Sequence, residues 1–334
     1  MKFTFLPLMV AGLVSVSTAV LADYEDHPRA GELRKRLVTE FGFTRADIEW
    51  VNDALDEADR IDALVEAEQK SAEKVLTWAD YRSRHVTQWS IDHGVEFMKR
   101  YAAELQRAED RWQVPKHIIA AIIGIETKYG GYTGKRRVLD ALATQGFDHP
   151  TRSPFFFNEL VEFFVLCKET GMRPEDAQGS YAGAMGIPQF MPSNYRKLGV
   201  DFDGDGVVDL WEPRDAIGST ANYLRNYRNH VHKRGWEFGS PVAELAQVQP
   251  DSPLTFSSEA RTQFIASQFV GAGIRAPSLR NDQTPVGLYD LIGPNGKEIW
   301  VAYHNFFAIM SYNPRAKYAM AVYQLSEEIR TRTK

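Results

Sequence analysis

The sequence predicts a mainly α-helical chain of the α+β class with one small β-containing insertion. Three observations carry this. Apolar residues recur at three- and four-residue spacings through most of the chain, as they do in helices with one buried face. The stretch Pro115 to Gly131, PKHIIAAIIGIETKYGG, is apolar on nearly all sides of its helical part, which predicts a helix inside the core. From Ser240 to about Trp300 the pattern changes, with Pro241, Pro250, Pro253, Pro277, Pro285 and Pro294 breaking it up.

Taken in order, the chain begins with Lys2 and an apolar or small run from Phe3 to Val20. Val20-Leu21-Ala22 then puts small residues at both positions that matter for cleavage. Residues 1–22 are expected to be a cleavable export signal, which leaves a soluble mature chain from about Asp23. A retained anchor is the alternative, since the run is nearly long enough to span a bilayer. No cysteine stands at the cleavage site, so a lipid-anchored form is not expected.

From His27 to about Glu73, Leu33, Leu37, Phe41, Ile48, Val51, Leu55 and Leu64 follow helical spacings. Thr77 to Arg82 reads as an aromatic turn, and Ile91 to Trp112 as one long helix with a solvated, mixed-charge face. Pro115 is expected at the first helical position of the central helix, and the pair Gly130-Gly131 at its end. An aromatic helix is predicted from Phe155 to Lys168. Gly179 to Pro192 (GSYAGAMGIPQFMP) is too rich in glycine to be regular throughout. Ala216 to Arg234 and Val301 to Leu325 read as helices. Between them, Val286 to Ile292 and Glu298 to Ala302 read as strands joined at Pro294-Asn295-Gly296.

The composition narrows the function classes. With 334 residues, 44% hydrophobic and 25% charged, this is an ordinary globular chain. A net charge of −5 argues against general nucleic-acid binding. Cys167 is the only cysteine, so no intramolecular disulfide can form, and a buried structural thiol is expected.

Three groups of residues carry candidate chemistry. Glu126 is the one carboxylate near the end of the apolar central helix. Partial desolvation there would raise its pKa and suit it to general acid work. The plainer reading is a glutamate that reaches solvent or pairs with a cation. The acidic run Asp201-Phe202-Asp203-Gly204-Asp205-Gly206, with Glu212 beyond it, fits the calcium-loop template D-x-D-x-D-G-x5-E. Alternate side chains and the Val207 carbonyl would surround one hard cation, and a single loop of this kind stiffens a structure rather than sensing calcium. An acidic turn without metal is the alternative. The Gly-rich stretch offers Ser180, Tyr181, Gln189 and Asn194 beside Met185, Phe190 and Met191. That mixture suits a neutral polar ligand such as a sugar chain, or equally a tight packing turn. Tyr81, Tyr129, Tyr132, Tyr223, Tyr227, Tyr303, Tyr312 and Tyr318 could line a carbohydrate cleft or fill helix interfaces.

Together these residues resemble the lytic murein transglycosylase B family. The pieces that carry the resemblance are WADYR, AIIGIETKYG, RVLDALATQGFDHP, GSYAGAMGIPQFMPSNY, VDFDGDGVVDLWEPRDAIGSTANYL and NFFAIMSYNPRAKYAMAV. They span most of the chain, from Trp78 to Val322. The resemblance implies a lysozyme-like catalytic core at 113–239 with its calcium loop at 201–215. It also implies a helical domain at 23–112 completed by 301–334, and a small β domain at 240–300. It makes Glu126 the single catalytic acid/base and places Ser180, Gln189, Tyr81, Tyr223, Tyr312 and Asn313 at the sugar site. The family's calcium loop closes three residues later than the template, so the implied ligands are Asp201, Asp203, Asp205, Val207 and Asp215, with Glu212 as the alternative.

The implied reaction is cleavage of the β-1,4 bond between N-acetylmuramic acid and N-acetylglucosamine in peptidoglycan. A retaining glycosidase normally carries a second carboxylate as nucleophile, but substrate-assisted enzymes dispense with it. No second acid stands in the central motif, so the substrate's N-acetyl group would assist and a 1,6-anhydro product would form. Ser180 or Asn313 would hold the acetamide. A hydrolytic muramidase and a non-catalytic, calcium-stabilised glycan binder are the alternatives. The expected setting is the periplasm, as a soluble monomer whose partners are glycan strands and the wall-synthesis machinery, with no nucleic acid and no membrane span in the mature chain. Arg152 is a candidate contact for an anionic peptide or lactyl group.

Overall fold

The computed structural model describes residues 24–64, 76–229, 234–249, 264–293 and 296–333. The predicted export signal, Pro250, Pro253 and the Pro294-Asn295 part of the predicted turn lie outside the described residues. The fold is mostly helical with small sheets, as the periodicity requires.

The chain opens with α1 (Ala30–Phe41) and α2 (Arg45–Asp56). Gly42 ends the first in a left-handed conformation at φ 67°, and the Thr44 side chain starts the second by accepting from the Asp47 amide. Their buried faces, Leu33, Leu37, Val51 and Leu55, pack with α7 (Val138–Asp148) and α8 (Ser153–Thr170) in one apolar cluster. The Gly-rich loop adds Met185 and Phe190 to that cluster, and α9 (Pro192–Leu198) adds Tyr195.

A second cluster surrounds the central helix, α6 (Lys116–Thr127). Ile118, Ile119, Ile122 and Ile123 are at most 1% exposed, each contributing roughly 2 kcal/mol of burial. Around it lie α3 (Trp78–His85), α4 (Gln88–Arg100), α5 (Ala102–Trp112), α10 (Pro213–Asn226), α12 (His304–Met310) and α13 (Ala316–Arg332). Tyr312 packs against both clusters.

The short strands β1 (Arg136–Arg137) and β2 (Gln178–Gly179) pair outside the insertion, which forms a four-stranded sheet in the order β3 (Ala243–Leu245), β8 (Gly296–Ala302), β7 (Pro285–Gly293) and β5 (Phe264–Ile265). β4 (Gln247–Val248) pairs with β6 (Ile274–Arg275), and α11 (Ala266–Gly271) lies between β5 and β6 in the chain. β7 and β8 pair antiparallel with Gly293 opposite Gly296, so the predicted hairpin forms. Ala266, Phe269, Ile274 and Val286 help to make a third apolar cluster here.

Several predicted boundaries change. Thr77 to Arg82 is not a turn: Thr77 accepts from the Asp80 amide and caps α3, which carries Tyr81. The long helix expected over 91–112 is two helices, because Tyr101 leaves helical geometry (φ −111°, ψ 35°) and serves as cap to both. Pro115 is the N-cap of α6 rather than its first helical residue, with an extended ψ of 133°. The helix predicted from Ala216 begins at Pro213 and ends at Asn226, where Tyr227 turns extended. Val301 and Ala302 finish β8, and the rest of the predicted C-terminal helix is split into α12 and α13. Pro314 disfavours the α conformation at Asn313, and the turn between these helices presents Tyr312 and Asn313.

Candidate active site

Glu126 sits one residue before the end of α6 and is half-buried. The helix stops before the glycine pair, at Lys128 and Tyr129, which both take positive φ (53° and 61°). The Lys128 amide donates to the Gly124 carbonyl at 3.0 Å and the Tyr129 amide to the Ile123 carbonyl at 3.3 Å, closing the last turn. Thr127 is buried, and its hydroxyl donates to the Ile187 carbonyl at 2.9 Å. One bond therefore ties the end of the central helix to the Gly-rich loop.

The Tyr318 hydroxyl donates to Glu126 Oε1 at 2.5 Å. Tyr318 belongs to α13 and is 2% exposed. Beside it, the Tyr312 hydroxyl donates to the Pro188 carbonyl and the Tyr223 hydroxyl to the Ser311 carbonyl, each at 2.7 Å. The Tyr223 and Tyr312 rings are 4.5 Å apart, and the Phe190 ring contacts both. Tyr227 stacks flat on Tyr223 at 4.5 Å. Burial, and then the negative charge of Glu126, hold the Tyr312 and Tyr318 phenols well above the usual range. Burial and Tyr227 do the same for Tyr223. All three stay protonated donors at neutral pH.

The other predicted sugar-site residues are placed as follows. Gln189 is half-buried at φ 53°, and its amide nitrogen donates to the Gly186 and Thr133 carbonyls at 2.8 and 3.0 Å. Ser180 is half-buried, with its hydroxyl oxygen accepting from the Ala182 and Ala184 amides. Asn313 is half-buried, and its carbonyl accepts from the Arg315 amide at 2.7 Å. Tyr81 is fully buried, its ring 4.4 Å from that of His85, in the same apolar cluster as Tyr318. The structure thus gathers Glu126, Tyr312, Tyr223 and the 186–190 segment, while Ser180 and Asn313 join this group through the backbone of the loop and the turn. The sequence offers Tyr318 and Tyr227 among eight tyrosines, none of them marked as a partner of Glu126. The sole sequence signal for Tyr318 was its place in the YAMAV piece. Arg152 lies 4.8 Å from the Phe155 ring and 4.9 Å from that of Phe156. Cys167 is buried, and that burial pushes its thiol pKa up.

In the acidic loop, carboxylate atoms of Asp201, Asp203 and Asp215 all lie within 4.8 Å of one another. Asp215, in the first turn of α10, is 1% exposed and accepts from the Phe202, Asp203 and Asp209 amides. Asp201 accepts from Gly204 and Gly206, which turn the loop at φ 85° and 94°. Glu212 is used otherwise: it caps α10 by accepting from the Arg214 and Asp215 amides and pairs with the Arg214 side chain. Asp205 is exposed and accepts from the Val207 amide at 2.8 Å. Arg214 reaches Asp203 at 2.9 Å. Three converging carboxylates on a glycine-turned loop are the hard oxygen donors that fit calcium.

The match to known proteins is extensive. The transglycosylase SLT domain model matches residues 27–327. The chain is 35% identical over 317 residues to membrane-bound lytic murein transglycosylase B of Escherichia coli K12, covering 92% of this chain and 84% of that protein. The structure superposes on that of catenated lytic transglycosylase SltB1 from Pseudomonas aeruginosa with a TM-score of 0.84 and 38% identity, over 93% of this chain and all of that one (100%). It also matches Escherichia coli lytic transglycosylase Slt35 in complex with calcium, with a TM-score of 0.81, 35% identity and coverage of 93% and 95%.

Proposed function

This chain belongs to the transglycosylase SLT domain family, and on that premise we propose how its residues cleave peptidoglycan. It is a lytic murein transglycosylase, an enzyme that breaks the β-1,4 bond between N-acetylmuramic acid and N-acetylglucosamine and leaves a 1,6-anhydromuramyl end. The observation that carries our residue-level reading is the half-buried Glu126 with its Oε1 held by Tyr318.

Glu126 begins protonated. Oε1 is committed to accept from Tyr318, so the exchangeable proton rides on Oε2 and passes to the leaving glycosidic oxygen. The acetamide carbonyl of the muramyl residue attacks the anomeric carbon as that bond breaks. Glu126, now a carboxylate, takes the proton from the C6 hydroxyl. O6 then displaces the acetamide oxygen and closes the anhydro ring. Both nucleophiles belong to the substrate, so one protein carboxylate suffices, and holding them in place lowers the barrier by several kcal/mol. Gln189, with both amide hydrogens engaged, presents its carbonyl oxygen as an acceptor to sugar hydroxyl or amide groups. Tyr312 and Tyr223 form the aromatic wall, Tyr81 packs in the core cluster that also holds Tyr318, and Ser180 and Asn313 are our candidates for the acetamide contact.

Calcium is proposed at Asp201, Asp203 and Asp215, with Asp205 and the Val207 carbonyl completing the set, and it would fix the loop that leads into α10. A third apolar cluster supports a 240–300 domain, whose Val242, Ala243, Tyr289 and Leu291 pack instead with the cluster around the central helix. Among the described residues no helix is long and apolar enough to cross a membrane; we place the enzyme in the periplasm, acting on glycan strands.

The test compares wild type with Glu126→Gln on isolated sacculi, reading released muropeptides and bound protein. The expected result is loss of release with binding kept. Release by the variant at the wild-type rate would remove Glu126 from the mechanism.

A further inference from the structure

The exit of the central helix is built in an unusual way. Two successive residues that are not glycine, Lys128 and Tyr129, adopt left-handed backbone geometry, which L-residues avoid unless their surroundings enforce it. The enforcing contact is visible. The Tyr129 side chain folds back between α6 and α4, and its hydroxyl donates to the Ser90 carbonyl at 2.6 Å. Its ring lies 5.5 Å from that of Phe97. It fits there because both helices carry a glycine at the crossing. A Cβ at Gly124 would stand 2.5 Å from Tyr129 Cζ, and one at Gly94 would stand 2.6 Å from the Tyr129 hydroxyl oxygen and clash with Ile329 as well. Gly124 and Tyr129 flank Glu126 in the chain, so the ring clamps the one helical turn that carries the carboxylate.

We propose that Tyr129 is a positioning residue for Glu126, a latch seated in the Gly94–Gly124 slot that sets where the acid/base carboxylate stands relative to the scissile bond. The claim rests on Glu126 being the acid/base. Tyr318 holds one carboxylate oxygen from the side of α13, whereas Tyr129 fixes the backbone from the side of α4. The two act on different degrees of freedom, side-chain torsion and helix-end position. A displacement of the carboxylate by about 1 Å costs on the order of a hundredfold in rate. A lost latch should therefore appear in kcat, with KM preserved because substrate contacts stay in place.

The test measures kcat and KM on soluble glycan strands for wild type, Glu126→Gln, Tyr129→Ala, Tyr129→Phe and Gly124→Ala, each in the full chain with calcium and with folding checked by circular dichroism. Tyr129→Ala is expected to lower kcat by about thirtyfold or more, with KM within about threefold of wild type. Tyr129→Phe keeps the ring in its slot and should lose only about three- to fivefold in kcat. Gly124→Ala, which expels the ring, should match Tyr129→Ala, and a further variant that combines Gly124→Ala with Tyr129→Ala should be no worse than either, since all remove one contact. Should Tyr129→Ala not fold, Tyr129→Phe decides: the stated fall in kcat supports the latch and an unchanged kcat overturns it. A folded Tyr129→Ala with wild-type kcat, or with its whole effect in KM, overturns the latch. An active Glu126→Gln would instead overturn the acid/base reading beneath it.

Discussion

At the end of the central helix, one carboxylate is held by a phenol that lies 192 residues further along the chain. Glu126 was legible in the sequence because an acid in so apolar a helix is rare enough to ask for a reason. Tyr318 was not, since a helical period shows which face is buried but not which distant group a hydroxyl meets. The acidic loop teaches a related lesson. The bare template points to Glu212, yet that side chain is spent on capping α10, and Asp215 turns inward to join Asp201 and Asp203. The family resemblance, not the bare template, is what points to Asp215. Calcium at about a hundred times its dissociation constant should stabilise the fold by about 2.7 kcal/mol, and chelation should remove that gain. In thermal melts, Asp215→Asn is expected to lose the calcium-dependent shift and Glu212→Gln to keep it. The opposite pattern would return the ligand role to Glu212.

Among the elements, the long apolar helices were legible, but α3 read as a turn and helix ends were misplaced. Tyr101 and the Asn313-Pro314 pair each interrupt an apolar period that continues across them, so the period alone merged two helices in both places. The proline was a usable stop signal, and the turn it creates carries Tyr312. The central helix also makes a pH-dependent contribution through His117, which faces Glu327 of α13 at 3.9 Å. Burial pushes the His117 pKa down from 6.5 to about 4, although Glu327 pulls it up. Between those values the unfolded chain binds a proton that the folded chain does not. Stability therefore falls as the pH drops from about 6.5 to about 4, and below that this group adds no further slope. The total for a side chain so little exposed is up to about 3 kcal/mol. Denaturant titrations from pH 7 to pH 4 should show this loss in wild type and a shallower one in His117→Gln. Equal slopes would contradict it.

For the whole molecule, composition and patterning gave the class correctly: mainly helical, with one small β-containing insertion. What they could not give is where the apolar clusters meet. One is built around the central helix with both flanking segments and the C-terminal helix. The other takes the N-terminal helices, α7 and α8. Tyr312 touches both, and the candidate site lies at this seam, where residues far apart in sequence converge on Glu126. Such convergence is a property of packing and leaves no local trace in the chain. The central claim that arises from it is that a single protein carboxylate, with nucleophiles supplied by the substrate, completes the reaction. The most direct test is to digest sacculi in water enriched in the heavy oxygen isotope and weigh the new muramyl ends. Intramolecular closure predicts ends lighter by one water than reducing ends and free of label. Heavy oxygen at those ends, in reducing sugars, would show water as the acceptor and contradict the account.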